Sequence, residues 1–424
     1  MSSISQILKN KCLWFFIAFI ILTDLLYTVY FNLSDEDLNT IETIDQYSMN
    51  IQQRPEDGFI MDTDRVMQEC NMRARSVESC LKYLDKKDDD YMITFPLSSK
   101  NSIIPPQCKE NEPPMLFHVF WRGMITDKLA LQIKSFLYTQ PLTCSKLYVW
   151  LQNSDTDINL NPFAGNLYKK FSPRNVEFRR WDTEEQLNFD DLFKGWKAIM
   201  EKHSSVAFSD LVRFVVLNRY GGMYMDGDVL FLRDMRPLYH SGLDFSYKWS
   251  FKNEYNTAVL RLHANGTTSR KIISQAMLNK MNFHPFQIRN YLMVNASIPS
   301  DSHLAKSIYN SQLYMYSVPL FDPLWLKNDN KQKNILKPNL RGMDDVWDPN
   351  LVPNEFPEIG NLSLYSPLEL RKADEFFRGA FAYHWHNNWS KNLNPNCWMG
   401  VMQTAYDSFL NGTQTNIYGE YVKY

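Results

Sequence analysis

Two aspartates separated by one glycine, Asp226-Gly227-Asp228, are the residues of this 424-residue chain best suited to chemistry. They stand between two apolar runs, Met223 to Met225 and Val229 to Leu232. In extended chain, residues i and i+2 point the same way. The pair can therefore aim two carboxylates at one point, while Gly227 leaves the space between them empty and lets the backbone turn. Two hard oxygen ligands at a strand end suit Mn²⁺ or Mg²⁺ holding a diphosphate, because such ions keep waters and need few protein ligands. A plain hairpin turn is the alternative, since Asp-Gly is a common turn signal.

Two further charges lie just upstream. From Val206 to Leu217 the polar residues are Ser209, Asp210 and Arg213. Phe208, Leu211, Val212, Val215 and Val216 recur at helical spacing, with Phe214 and Leu217 on a second flank. A helix that is apolar on most sides is a buried helix, so Asp210 and Arg213 are carried into the interior. At i, i+3 they can meet. Gly221-Gly222 ends this helix with the left-handed conformation a C-cap needs.

Ser209-Asp210, Arg213, a leucine, Gly221-Gly222, Tyr224, Asp226 and Asp228, in this order and spacing, resemble the sugar-binding region of the DXD-motif glycosyltransferases of family 32. That family includes alpha-1,4-galactosyl- and N-acetylglucosaminyltransferases and initiating alpha-1,6-mannosyltransferases. The resemblance implies a GT-A, Rossmann-like α/β fold. It also implies a nucleoside diphosphate sugar as donor, Mn²⁺ (or Mg²⁺) on Asp226 and Asp228, and retention of anomeric configuration. Asp210 and Arg213 would contact the donor-sugar hydroxyls and the diphosphate, and Tyr224 would pack beside the DXD. Paired carboxylates also serve glycoside hydrolases, but several ångströms apart across a sugar, whereas Asp226 and Asp228 are neighbours.

The resemblance extends along the chain from about Pro114 to Asn388. Pro114 to Gly123 looks like the family's opening strand, with Met115 to Trp121 reading as a buried strand. Ligands of nucleotide-binding α/β sheets sit beyond the strand carboxyl ends, which places Trp121, Arg122 and Gly123 near the nucleotide. His118, inside the strand, reads as a hydrogen-bonded core histidine. Asn256 falls in an Asn-x-Ala run and is either a sugar contact or part of a strand-edge turn. Ala382-Tyr383-His384-Trp385-His386 resembles the Ala-x-His-x-Trp of the alpha-1,4 enzymes. His384 matches and is the candidate third metal ligand or a donor to the leaving diphosphate, with a plain surface strand as the alternative, whereas His386 stands where that branch has tryptophan. Trp385 and Trp389 either line the pocket or pack. The Gly-His-x-Gly-Pro segment of the galactosyltransferase branch is absent near Ser300 to His303, so galactosyl transfer to lactosylceramide does not carry over, and Asp301 reads as a helix cap.

Elements of both types alternate between these motifs. Helices are expected over Asp127 to Gln140, Asn161 to Phe171, Thr183 to Phe193, 204–220 and Thr268 to Lys280. Strands are expected over Lys146 to Gln152, Val176 to Trp181 and Tyr255 to Leu260. Such alternation predicts an α/β domain with a mostly parallel sheet covered on both faces.

The whole chain narrows the function classes. Forty-five basic against forty-seven acidic residues, with no basic run, give nucleic-acid binding no support. Cys12 to Phe31 carries one charge, Asp24, and follows Lys9 and Lys11. It is long enough to span a bilayer, with the preceding lysines in the cytoplasm. The expected organisation is a cytoplasmic tail (1–11), a transmembrane signal anchor (12–31), a luminal stem (32–112) and a catalytic domain (113–424). A cleaved signal peptide is the alternative to the anchor, and a small ordered subdomain the alternative to a stem. This is the topology of Golgi type II membrane enzymes of the resembled family, and it permits glycosylation at the sequons of Asn32, Asn265, Asn295, Asn361, Asn388 and Asn411. The acceptor would be a glycan on lipid or protein. UDP-hexose is the expected donor, from the alpha-1,4-type C-terminus, with GDP-mannose or a catalytically inactive sugar-binding protein as alternatives. Five cysteines lie beyond the anchor, and their pairing is not deducible from sequence.

Overall fold

The computed structural model describes residues 113–152, 157–200, 205–240, 242–249, 254–293, 313–316, 318–322, 380–417 and 420–422, with residues 59–61, 92–94, 108, 325, 346 and 347. The expected anchor, the sequons of Asn32, Asn295 and Asn361, and the segment around Asp301 fall outside these residues. No helix among the described residues is long and apolar enough to cross a membrane. Within the expected stem, β1 (Phe59–Met61) pairs antiparallel with β2 (Met92–Thr94), so that stretch holds some ordered structure.

The strands that follow are β3 (Met115–Arg122), β4 (Ser145–Gln152), β5 (Val176–Arg180), β6 (Gly222–Met225), β7 (Val229–Phe231), β8 (Phe245–Lys248), β9 (Tyr255–Leu262), β10 (Tyr314–Tyr316) and β11 (Ala382–His384). Among them run helices α1 (Asp127–Thr139), α2 (Gly165–Phe171), α3 (Thr183–Leu187), α4 (Trp196–Met200), α5 (Ser205–Tyr220), α6 (Arg236–Tyr239), α7 (Thr267–Leu278), α8 (Pro285–Met293) and α9 (Trp398–Leu410). Seven strands form one sheet in the order β10-β8-β9-β6-β3-β4-β5. The sheet is mostly parallel, as expected; β9 alone runs antiparallel to both its neighbours, β6 and β8. A short connection explains its reversal, because the Trp249 N–H meets the Glu254 carbonyl and folds β8 straight back into β9.

Alternation along the strands divides the interior into two layers. Phe117, Val119, Met223 and Met225 face one core with α1, while Phe120, Trp150 and Tyr224 face a second core with α5. Both faces being covered, the central parallel strands β3 and β6 are largely apolar, with His118 the buried exception in β3. A third cluster packs β7 and β11 on α9 through Leu230, Tyr383, Trp385, Trp398 and Tyr406.

Two expected helices are shorter than their patterns suggest because polar side chains cap the backbone. Thr183 to Phe193 divides into α3 and a 3-10 turn at Asp191–Phe193. Asp182 caps α3 by accepting the Glu185 N–H, and Asp190 accepts that of Leu192. The Asn161 carboxamide takes the N–H groups of Phe163 and Ala164 before α2 begins. Such local bonds compete with helix. The expected Thr268 to Lys280 helix begins one residue early, with Gly266 at the N-cap of α7 and no side-chain cap bond, and stops at Leu278 before the positive φ of Lys280.

Cys108 and Cys144 form a disulfide that ties the start of the domain to the entry of β4. Cys397 is buried and unpaired among the described residues.

His118 is the core histidine expected. Its Nε2 lies 2.8 Å from the Gly221 carbonyl and its Nδ1 accepts the Trp150 indole N–H at 3.2 Å. Both nitrogens are thus satisfied in the neutral ring, and the bond to Gly221 ties the end of α5 to β3. Burial holds the imidazole down from 6.5 to about 4, with the Gly221 bond partly opposing and Arg179 adding to the effect. A histidine neutral when folded and charged when unfolded loses stability as pH falls from 6.5 to 4. Each tenfold difference in proton affinity between the two states is worth about 1.4 kcal/mol, so the loss is about 3 kcal/mol. Urea denaturation of His118→Gln across this window should show a visibly flatter acid limb than wild type; an unchanged limb would show that His118 titrates normally.

Candidate active site

The sheet order places the site before any side chain is considered. From β3 the chain moves to β4 and β5 on one side, then returns through α5 to β6 on the other side of β3. In an open α/β sheet the strand order reverses at such a point, and the crevice beyond the strand carboxyl ends binds ligand. Trp121 and Gly123 leave the end of β3 there, and Asp226 leaves the end of β6.

Arg213 organises the buried side of this crevice. One terminal guanidinium nitrogen, Nη2, lies 3.0 Å from Asp226 Oδ1 and 3.0 Å from Asp210 Oδ1, and the other donates to Thr257 Oγ1 at 2.7 Å. The same Nη2 makes a longer bond of 3.4 Å to Ser209 Oγ. Its plane lies over the Tyr224 ring, 5.3 Å from the centroid. Burial works against the charge of Arg213, but Asp226 and then Asp210 raise its pKa, so it is a permanent cation. Burial raises the Asp210 carboxyl in spite of Arg213. Burial also raises Asp226, helped by Asp228 and opposed by Arg213; with 22% of its side chain exposed, Asp226 forms the open edge of the cluster.

The DXD segment is a turn. The Val229 N–H closes on the Asp226 carbonyl at 3.0 Å, while Gln132 of α1 donates to the same oxygen and the Asp226 N–H is held by Ala258 of β9. The carboxylates are therefore aligned by the turn and not by strand alternation. Strands β6 and β7 do not pair as a hairpin, because β7 leaves the main sheet to pair with β11. Gly227 has a different role from the one its position suggests. A Cβ there would sit 3.1 Å from the six-membered ring of Trp121, so glycine admits the indole against the turn. Trp121 is fixed by its Nε1 bond to the Met124 carbonyl and packs edge-on to Trp389 at 5.2 Å.

Pairing of β7 with β11 brings the third ligand candidate into place. His384 lies opposite Val229, and the Trp385 N–H donates to the Asp228 carbonyl at 3.0 Å. His384 Nε2 is 3.3 Å from Asp228 Oδ1, and the Asn387 N–H donates to Asp228 Oδ2 at 2.8 Å. His386 and Asn387 both adopt positive φ, 47° and 59°, and this tight turn aims that N–H. Burial opposes ionisation of Asp228, but the neighbouring His384 and the Asn387 N–H hold its carboxyl down to about 2. Burial likewise opposes charge on His384, and Asp228 followed by Asp322 outweighs it, raising the imidazole to about 9. Asp228 and His384 thus support each other's charge as a buried carboxylate–imidazole pair.

Of the residues singled out from sequence, Asp210, Arg213, Asp226, Asp228, Tyr224 and His384 come together in one cluster, with Trp121 on the turn beside it. Gly123 marks the mouth of β3, with φ of 89° and its N–H on the Gln152 carbonyl. Tyr224 is 1% exposed and its hydroxyl bonds Asp226, so it lies behind the carboxylates. Asn256 lies inside β9 and not at an edge turn, spanning the β8–β9 irregularity with its Oδ1 on the Ala258 N–H. Trp385 is buried packing, and Trp389, 37% exposed, stands over Gly227. Four contributors had no signal that singled them out: Gln132, Thr257, Tyr247, whose hydroxyl meets His384 Nδ1 at 3.0 Å, and Asp322, whose Oδ2 bonds His386 Nε2 at 2.6 Å.

A buried cluster of carboxylates, an imidazole and a guanidinium thus stands at the switch point of the α/β sheet. Residues 127–244 match the family model described as the glycosyltransferase sugar-binding region containing the DXD motif. This match, with the site it contains, indicates a glycosyltransferase. No curated protein matches the chain. Among solved structures, the galactosyltransferase LgtC in complex with donor and acceptor sugar analogs is 13% identical over 69% of this chain and 96% of its own, with a TM-score of 0.36. The apo-form glycosyltransferase GlyE of Streptococcus pneumoniae TIGR4 is 12% identical, with 71% of this chain and 63% of its own covered and a TM-score of 0.36. The PaToxG glycosyltransferase is 12% identical over 59% and 86%, with a TM-score of 0.32. Likenesses of this size say nothing about activity or site.

Proposed function

We propose that this protein is a metal-dependent, retaining glycosyltransferase that moves a hexose from a nucleoside diphosphate sugar, UDP-linked, to a glycan on lipid or protein. The observation that carries this reading is the convergence of Asp226, Asp228 and His384 beside Arg213 at the switch point.

The donor set fits a divalent ion. Two ligands at right angles on an ion with bonds of about 2.1 Å lie roughly 3 Å apart, and His384 Nε2 and Asp228 Oδ1 are 3.3 Å apart. Tyr247 occupies His384 Nδ1, which leaves Nε2 as the coordinating nitrogen. Carboxylates with one imidazole and no thiolate suit Mn²⁺ better than Mg²⁺. When bound, the ion would neutralise the charge that gathers on the departing diphosphate.

The chain's own residues do the rest. Asp226 and Asp228 would hold the ion that neutralises the diphosphate; Gln132 and Ala258 fix the Asp226 backbone, and the Asn387 N–H fixes the Asp228 carboxylate. Arg213 holds Asp226 and Asp210 in place, and its charge favours phosphate oxygens nearby. Asp210 contacts donor-sugar hydroxyls. Trp121 and Trp389 give an apolar wall beside the turn, which limits water at the reacting centre. Retention of configuration and the choice of UDP follow from the family resemblance and the Ala-x-His segment.

A luminal Golgi setting, with residues 12–31 as anchor, completes the reading. The low charge of that stretch and the Cys108–Cys144 disulfide, a bond typical of oxidising compartments, support it.

The test is release of UDP or GDP from a panel of donors by the purified full chain, with Mn²⁺ and then with EDTA. UDP release from one UDP-hexose, lost with EDTA and restored by Mn²⁺, is the expected result. Release from GDP-mannose alone would replace the donor, and a folded protein that neither binds nor turns over any donor would overturn the enzyme reading.

A further inference from the structure

Behind His384, on the side away from Asp228, lies a group of side chains that the proposed reaction does not use. Asp322 is fully buried, and its Oδ2 is 2.6 Å from His386 Nε2 and 3.7 Å from His384 Nδ1. Its other oxygen has no hydrogen-bond partner among the described residues. The His386 ring lies flat between two others, 3.7 Å from His384 and 3.9 Å from Trp325, at interplanar angles of 21° and 17°. A buried carboxylate with one oxygen unpaired is costly, and packing alone gives no reason to keep it. His386 also adopts positive φ to reach this position.

We propose that Asp322 and His386 are positioning residues for His384: together they fix the plane of its ring and polarise it so that Nε2 is presented to the metal held by Asp228. The proposal rests on the metal-dependent reading above. Its physical content has two parts. The Asp322–His386 bond fixes the middle ring of the stack, and a ring held flat on His384 prevents rotation about its side-chain bonds. The Asp322 charge also faces the Nδ1 edge of His384, where negative charge strengthens the opposite nitrogen as a ligand; loss of such outer partners typically weakens metal binding about 10- to 100-fold. Asp322 itself is not a ligand of that ion in this arrangement, because it meets His384 through Nδ1 whereas Asp228 meets Nε2.

Asp322→Asn is the informative variant, since an asparagine oxygen can still accept the His386 N–H while the charge is gone. Mn²⁺ binding to the full chain without donor is read by electron paramagnetic resonance of the free ion, and Co²⁺ binding by its visible spectrum. Asp322→Asn should weaken Mn²⁺ binding at least about tenfold, raise the Mn²⁺ concentration for half-maximal turnover, and leave kcat at saturating Mn²⁺ within a few-fold of wild type. His386→Phe, which keeps a ring in the stack and removes the bond to Asp322, should shift Mn²⁺ affinity the same way. Wild-type Mn²⁺ affinity in both variants, with only thermal stability reduced, would overturn the proposal. Loss of a whole bound equivalent in Asp322→Asn would also overturn it, by placing Asp322 on an ion. Absence of Mn²⁺ binding in wild type would instead sink the metal-dependent reading beneath it.

Discussion

Asp228→Asn should lower UDP release from the donor at least about 10³-fold, equivalent to roughly 4 kcal/mol of transition-state stabilisation. The protein should stay folded, because an asparagine oxygen can still accept the Asn387 N–H that now meets Asp228 Oδ2. The loss comes from charge at one point: Asp228 is the carboxylate nearest His384 and the one held ionised most firmly, down to about 2. Donor affinity in the presence of Mn²⁺ should fall with turnover, and extra Mn²⁺ should restore little. A variant that keeps more than a tenth of wild-type turnover would show that the ion is held elsewhere.

Arg213→Met should act on stability as strongly as Asp228→Asn acts on turnover. Arg213 is 3% exposed and is the shared cation of two carboxylates, Asp210 and Asp226. Removing one partner of a buried ion pair typically costs about 3–5 kcal/mol, because the remaining charge is left without compensation. Urea denaturation of the metal-free protein at pH 7 should show a loss of this size. The deficit should shrink toward pH 5, since Asp210 and Asp226 already have raised carboxyl pKa values and take up protons once the guanidinium is gone. Arg213→Lys should recover part of the loss only, because an ammonium does not reproduce the fork that reaches Thr257 and both carboxylates. A loss below about 1 kcal/mol for Arg213→Met would mean that these groups are solvated in the folded protein.

Local patterns carried a great deal of this structure. The apolar run from Phe208 to Leu217 reads as a buried helix whose two charges at i, i+3 can meet, and they do so at 3.0 Å. The strand ending at Trp121 and the glycines closing α5 follow from equally local rules. What spacing did not carry was pairing across distance. Alternation suggested that Asp226 and Asp228 were aligned by extended chain, but β7 pairs with β11, and a turn does the aligning. That pairing depends on how Leu230, Tyr383 and Trp398 pack together, which no short window contains. His384 came from a motif, whereas Asp322 sits in an apolar stretch, Leu320-Phe321-Asp322-Pro323, where nothing marks a lone acid as a partner for histidine. The split of the Thr183 to Phe193 stretch has a simpler origin. Asp182 and Asp190 are strong caps, and helical periodicity does not register them.

The antiparallel pair of β7 and β11 also orders events in the life of the chain. It joins Val229–Phe231 to Ala382–His384, and the Asn387 N–H reaches Asp228 across 159 positions. Synthesis runs from the N-terminus, so the parallel strands, α5 and the DXD turn are complete long before the histidine side of the site exists. A nascent chain stopped at residue 380 carries every residue of the family-matched region and neither His384 nor His386. On the proposed reading, activity would wait for completion of the polypeptide: a chain ended between residue 317 and His384 would contain all seven strands of the main sheet yet lack the β11 strand and the histidine that meet Val229 and Asp228.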